Sequence, residues 1–379
     1  MGINSSKKQE RVIEIKPSFL VILFSTLALL IGLVVALFVV MNIENKDIDD
    51  SPSGKKDPSK TLQTDKLPST PVSKTPLYPT KESRSSYKIT TSESVVTLTD
   101  NSFITSEHTV LVKVDKDSLT SIVEKNADTK MYPASMTKVM TLLVACENLT
   151  DLDELLTIKK EHIDYVTLHK DSKTFFDKGD SELPGEKISV KDALYLCSYE
   201  SDTIACLLLA EHIAGSEADF VELMNKKAES IGLTGTKFVN CTGLHDDNHY
   251  STCKDMASIM AYAMDNELAK SILFSIESYS FKSDKFYTTK DPTKKLTYYP
   301  YYPYWYEDAN RFNKKNKLET VTVVAGKTGW DEGGMSLVSV AKGNNDELYI
   351  NVIVGGKDKK VSESTSTTEV IKIYNTYAK

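Results

Sequence analysis

Ser135 and Lys138, in the run Tyr132-Pro133-Ala134-Ser135-Met136-Thr137-Lys138, set a hydroxyl and an amine three residues apart, where one helix face can hold both. That spacing makes a nucleophile and its base. A serine is unreactive near neutral pH, and a lysine can take its proton only when the lysine is itself neutral, which a second cation nearby favours. Lys327, in Gly326-Lys327-Thr328-Gly329, is a candidate for that cation. The same run of lysine, hydroxyl and glycine also suits a carboxylate ligand. Taken alone, Lys327-Thr328-Gly329 reads equally as a turn after an edge strand, so neither motif identifies a reaction by itself.

The elements around these residues are legible in outline. After Pro133, Val139 to Cys146 is mostly apolar and free of Gly and Pro, so Ser135 is expected to open a buried helix. Upstream, Thr109 to Val114 and Leu119 to Val123 flank Asp115-Lys116-Asp117, which predicts a hairpin. A second helical block is expected over Ser189 to Ala214, and an amphipathic one over Ala218 to Ile231. Thr320 to Ala325, Met335 to Ala341 and Leu348 to Val354 are strand-like, with Gly343-Asn344-Asn345-Asp346 as a turn, and predict adjacent antiparallel strands. Thr367 to Tyr377 is a candidate closing helix. No internal repeat is visible.

Four blocks in order then carry a resemblance: Tyr132 to Lys138; Leu209-Ala210-Glu211-His212-Ile213-Ala214-Gly215-Ser216; Gly243 to Thr252; and Lys327-Thr328-Gly329. Together they resemble the low-molecular-mass penicillin-binding proteins, serine D-Ala-D-Ala carboxypeptidases, over about Thr109 to Gly356. The resemblance implies an α/β (α+β) fold of the penicillin-binding protein and β-lactamase type, an antiparallel sheet covered by helices. It implies that Ser135 attacks the carbonyl between the two terminal D-alanines of a peptidoglycan stem peptide, with Lys138 as general base. Lys327 and Thr328 would bind the terminal carboxylate, Gly329 would let the substrate strand lie close, and the N–H groups of Ser135 and Trp330 would form the oxyanion hole. β-Lactam antibiotics would be covalent inhibitors. Neither cofactor nor metal is expected, because lysine and serine side chains supply the proton transfers.

Two departures from the family pattern bear on substrate positioning. The family's second motif is serine, any residue, asparagine; aligned backward from Ala210-Glu211-His212 it falls on Ser201-Asp202-Thr203. Ser201 would relay a proton between Lys138, Lys327 and the leaving amine. Thr203 stands in the asparagine's place and has a shorter hydroxyl, which cannot give an amide's donor and acceptor together. The other register, Ser198-Tyr199-Glu200, would need three extra residues before the Ala-Glu-His block. After Gly329, Trp330-Asp331-Glu332 adds negative charge near an anionic substrate. His245, Asp246 and His249 hold two histidines four apart, but without a His-Glu-x-x-His pattern they read as a polar loop. A β-lactamase would use the same serine and lysines, and a degenerate penicillin-binding protein acting as a wall-binding scaffold would account for Thr203 and Asp331.

The whole chain has 379 residues, a formal charge of -7 and 40% hydrophobic residues, enough for a sizeable core and a poor match to nucleic acid. Residues 1–17 are expected to be cytoplasmic, 18–43 a transmembrane helix, 44–86 a disordered linker and 87–379 the catalytic domain. No charge occurs from Ser18 to Ile43, long enough to span a bilayer of about 30 Å. Lys7, Lys8, Arg11 and Lys16 precede it, and Glu44, Asp47, Asp49 and Asp50 follow, so the catalytic domain is expected outside the cell. The linker holds prolines 52, 58, 68, 71, 76 and 79 and few large apolar residues, with a flexible reach of roughly 35 to 40 Å. Many relatives carry a β-rich carboxy-terminal domain, and none is recognisable before Lys379. Five cysteines, at 146, 197, 206, 241 and 253, form no close-spaced framework, and buried free thiols are expected at Cys146 and Cys206. Tyr298 to Tyr306 concentrates aromatic rings that could stack on sugars or pack as a proline-broken loop.

Overall fold

Alternation along two strands sorts side chains onto two faces of a sheet, and both faces are covered. In Leu348–Gly356, Ile350 and Val352 point to one face and Tyr349 and Ile353 to the other; in Gly334–Gly343, Val338 and Val340 oppose Leu337 and Ala341. All eight are buried, which is why these strands read as continuous apolar runs.

A computed structural model describes residues 76–82, 84–99, 102–176, 183–275, 279–281, 296–298, 318–331, 334–356 and 365–378. In chain order these form β1 (Ile89–Thr97), β2 (His108–Val114), β3 (Leu119–Lys125), a 3-10 turn (Ala134–Thr137), α1 (Lys138–Asn148), β4 (Leu155–Thr157), α2 (Lys160–Leu168) and β5 (Lys187–Ser189). There follow α3 (Val190–Tyr199), α4 (Thr203–Ala214), α5 (Glu217–Ser230), α6 (Cys253–Asp265), α7 (Glu267–Leu273), β6 (Tyr279–Phe281), β7 (Leu296–Tyr298), β8 (Val321–Asp331), β9 (Gly334–Gly343), β10 (Leu348–Gly356) and α8 (Thr365–Tyr377). The main sheet has the order β1-β3-β2-β10-β9-β8. One face packs against α6 and α7, with α1, α3 and α4 continuing the same core behind them, and the other against α8 through Val370, Ile373 and Tyr374. α1 is buried from Lys138 to Cys146, so it runs through the core rather than over it.

The predicted hairpin and the three late strands form as expected, and three expectations are corrected. The sheet is mixed, not wholly antiparallel, because β1 joins β3 in parallel. The helical block Ser189 to Ala214 is two helices, α3 and α4, with Glu200, Ser201 and Asp202 between them. Ser189 caps α3 in a capping box with Asp192, and Gly215, in the left-handed region at φ +83°, closes α4. The third correction concerns residues 76–82 and 84–86, which were expected in the linker but lie against the folded domain. Leu77 N–H donates to Leu149 O at 3.0 Å, Lys81 pairs with Glu267, and Arg84 meets Asp265 at 2.8 Å with both side chains nearly buried.

The expected transmembrane helix and the linker before residue 76 lie outside the described residues, as do 299–306 of the aromatic segment. Among the described residues no helix is long and apolar enough to cross a membrane.

Candidate active site

The interruption between α3 and α4 is built by one buried carboxylate. Asp202 caps α4 by accepting from Ala205 N–H at 2.7 Å, and its other oxygen accepts from Phe175 N–H at 2.5 Å and Thr174 Oγ1 at 2.9 Å. Burial pushes its carboxyl above the usual range, opposed by these hydrogen bonds and by Lys138. Ser201, just before it, is held in the left-handed region at φ +56°. In that conformation its hydroxyl oxygen accepts from Lys327 Nζ at 3.0 Å. The register on Ser201 is therefore the one the structure brings to the lysine, while Ser198 is buried within α3.

The turn that carries Ser135 is equally constrained. Ala134 has φ +47°, and Met136 N–H closes the turn on Pro133 O at 3.1 Å. A 3-10 turn has three residues per turn, so Ser135 and Lys138 eclipse more closely than an α-helix would bring them. Lys138 Nζ lies 3.2 Å from Ser135 Oγ and donates to Thr242 O at 2.5 Å. Asn240 shapes the loop that presents this carbonyl: its Oδ1 accepts from Gly243 N–H at 2.7 Å and its Nδ2 donates to Leu244 O at 2.9 Å. Gly243 sits at φ +78°, and a Cβ there would come within 2.0 Å of Ala134 O, so only glycine lets this loop reach the turn.

Lys327 lies inside β8, so Lys327-Thr328-Gly329 is strand and not the turn that the motif alone would also allow. Its side chain is 1% exposed and donates to Thr328 O at 2.9 Å as well as to Ser201. Burial first, then the charges of Lys138 and Lys173, hold its ammonium well below the ordinary lysine value. Gly329 permits a close approach within the fold. A Cβ there would meet Ser336 Oγ at 2.4 Å, Ala134 Cβ at 3.0 Å and Pro133 O at 3.1 Å, so its absence lets the Ser135 turn rest on β8.

These parts enclose a cleft of about 660 Å³ whose walls include Ser135, Lys138, Ser201, Thr203, Thr328 and Trp330. Lys327 stands behind Ser201 rather than in the wall. Gly329 and Asp331 also line the cleft, and Trp330 is half exposed at its rim. Thr203, at the first position of α4, is buried with its N–H donating to Lys173 O at 2.8 Å. Sequence reasoning did not single out Lys173, Asp202, Asn240 or Thr242, since each acts through a main-chain group or across a long sequence separation. The Asn-Cys-Thr run before Gly243 was the one available signal.

His245 and His249 part company. His245 stacks edge-on against Tyr132 with ring centroids 4.3 Å apart, whereas the His249 ring is buried against Thr137. Among the described residues no group of three His, Cys, Asp or Glu side chains is arranged to hold a metal ion. All five cysteines are buried and unbridged, with Cys197 and Cys206 Sγ 3.4 Å apart beneath the Ser201 turn.

A serine between one lysine on its own turn and a second lysine reached through another serine can move a proton off a nucleophile and deliver one to a leaving group. Comparison with known proteins is consistent with that chemistry. A family model described as D-alanyl-D-alanine carboxypeptidase matches residues 95–358. The chain is similar to the D-alanyl-D-alanine carboxypeptidase DacF of Bacillus subtilis, 32% identical over 190 residues that cover 50% of this chain and 47% of that one. It is similar to DacC of Escherichia coli, 30% identical over 256 residues, covering 63% of this chain and 54% of that one. The match thus spans about half the length of these relatives. Among solved structures, penicillin binding protein 5 of Haemophilus influenzae is similar at a TM-score of 0.57 and 26% identity, covering 74% of this chain and 71% of that one.

Proposed function

The chain belongs to the D-alanyl-D-alanine carboxypeptidase family, and from that premise we propose that it removes the terminal D-alanine from peptidoglycan stem peptides through an acyl-enzyme on Ser135. The observation that carries this reading is the pair of lysines converging on one cleft, Lys138 on Ser135 and Lys327 on Ser201.

In the first half-reaction Ser135 Oγ attacks the carbonyl between the two D-alanines and Lys138 Nζ takes its proton. The oxyanion is held by the main-chain N–H groups of Ser135 and Trp330. The carbon–nitrogen bond then breaks as a proton passes to the amine through Ser201, with Lys327 behind it, and D-alanine leaves. Water attacks the acyl ester in the second half, and Ser135 regains its proton. Thr328 meets the terminal carboxylate in the cleft, while Lys327 acts on it by charge through Ser201 and Thr328. Thr203 gives the peptide one hydroxyl to bond with. Penicillins enter the same path and stop at the acyl stage.

The domain is further proposed to stand outside the cytoplasmic membrane on an anchor at 18–43, supported by the uncharged run and the basic residues before it. Protease added to intact cells should then remove the cleft-bearing domain; its survival would sink the placement.

The test of the reaction incubates the full-length chain in detergent with a fluorescent penicillin and, separately, a stem pentapeptide, beside Ser135→Ala. A lasting adduct on Ser135 with D-alanine release is expected, and both are lost in the variant. Rapid penicillin turnover without D-alanine release would make it a β-lactamase. Neither reaction would leave a wall-binding scaffold.

A further inference from the structure

Thr137 lies between Ser135 and Lys138 and is completely buried, so its hydroxyl must find a partner inside the protein. That partner is His249, whose Nε2 is 2.8 Å from Thr137 Oγ1. The other ring nitrogen, Nδ1, accepts from Val239 N–H at 3.3 Å. An accepting Nδ1 leaves the proton on Nε2, so the imidazole is neutral and donates to Thr137. Phe238 packs edge-on against the ring at 5.6 Å, and His249 N–H is tied to Asp246 O at 2.9 Å.

The histidine thereby joins the 239–250 loop to the nucleophile turn. This is the loop that sets Thr242 O against Lys138 Nζ and Gly243 against Ala134. We propose that His249 is a positioning residue: by bonding Thr137 at one ring nitrogen and Val239 at the other, it locks the Thr242 carbonyl and hence the approach of Lys138 to Ser135. The inference rests on the acyl-transfer reading above, and it assigns His249 a task that neither a metal site nor a plain polar loop would give it.

Histidine suits the task because one neutral ring supplies a donor and an acceptor at fixed separation. A proton on Nδ1 would replace that acceptor with a donor facing Val239 N–H. Burial keeps the ring neutral and lowers its value to about 4, opposed by Asp246 and aided by Lys138 and His245, the titratable groups near it.

The experiment measures acylation of the full-length chain by fluorescent penicillin and hydrogen exchange at 240–244, for wild type, His249→Ala, Thr137→Val, their double variant and His249→Gln. Removing either partner is expected to slow acylation about 10- to 100-fold, with faster exchange at 240–244. The double variant should lose no more than either single one, and Gln, whose amide also donates and accepts, should recover most of the rate. Acylation within about twofold of wild type in His249→Ala, additive losses, or unchanged exchange at 240–244 would each overturn the proposal. If wild type forms no Ser135 adduct, the acyl-transfer reading fails, and exchange alone decides whether His249 holds the loop.

Discussion

The ammonium of Lys327 is desolvated, faces the charges of Lys138 and Lys173, and has two acceptors in return, Ser201 Oγ and Thr328 O. It therefore binds its proton less tightly in the folded chain than in the unfolded one. Stability should fall as pH drops from the ordinary lysine value of 10.5 toward the lowered folded one, below which the full cost is present. Lys327→Met, which fills the space without a charge, is expected to melt higher at pH 7, to lose this alkaline pH dependence, and to label with penicillin about 100-fold more slowly. Thermal melts from pH 6 to pH 10 beside labelling rates check it; a lower melting temperature would show that the two hydrogen bonds outweigh desolvation. Ser135, Lys138 and Lys327 were readable as residue types at suggestive spacings. That Lys327 would stand behind Ser201 was not, because it depends on a left-handed Ser201 whose geometry is enforced by Asp202 and residues near 175.

Among the elements, short irregular pieces decide more than the long regular ones. The 3-10 turn at Ala134–Thr137, the break at 200–202 and the loop at 240–244 bring the chemistry together, and each is shaped by a contact far along the chain. Gly243→Ala sets a methyl against Ala134 O at a φ that suits only glycine, so the loop or the nucleophile turn must shift. The expected result is acylation slowed at least tenfold with only a modest loss in melting temperature, read by labelling and circular dichroism. An unchanged rate would mean that the loop gives way without moving Thr242. Asp202 also makes two walls of the cleft interdependent, since it bonds both α4 and residues 174–175; changes at Thr174 and Thr203 should not add independently. The late strands were legible because both their faces are apolar. β1 was not, because Ile89–Thr97 is a largely exposed edge strand with little hydrophobic alternation, made a strand by its pairing with β3.

At the scale of the molecule, the segment before β1 belongs to the fold although its composition reads as tether. Pro, Lys, Ser and Thr there gave no local sign of order; the ordering comes from groups nearly two hundred residues away. Arg84 and Tyr87 both bond Asp265, at 2.8 and 2.5 Å. Arg84→Ala leaves that carboxylate with Tyr87 alone among the described residues and is expected to cost about 3 kcal/mol in urea unfolding of the full-length chain. Lys81→Ala, at an exposed pair with Glu267, should leave the curve unmoved. Equal effects would mean that the segment is held by packing alone. The family match begins at residue 95, well after these contacts. A shortened protein cut at that homology boundary would keep every catalytic side chain yet strip the cover from Asp265, Asn266 and Leu149, inviting aggregation; a soluble fragment for crystallisation or inhibitor screening should start ahead of Leu77.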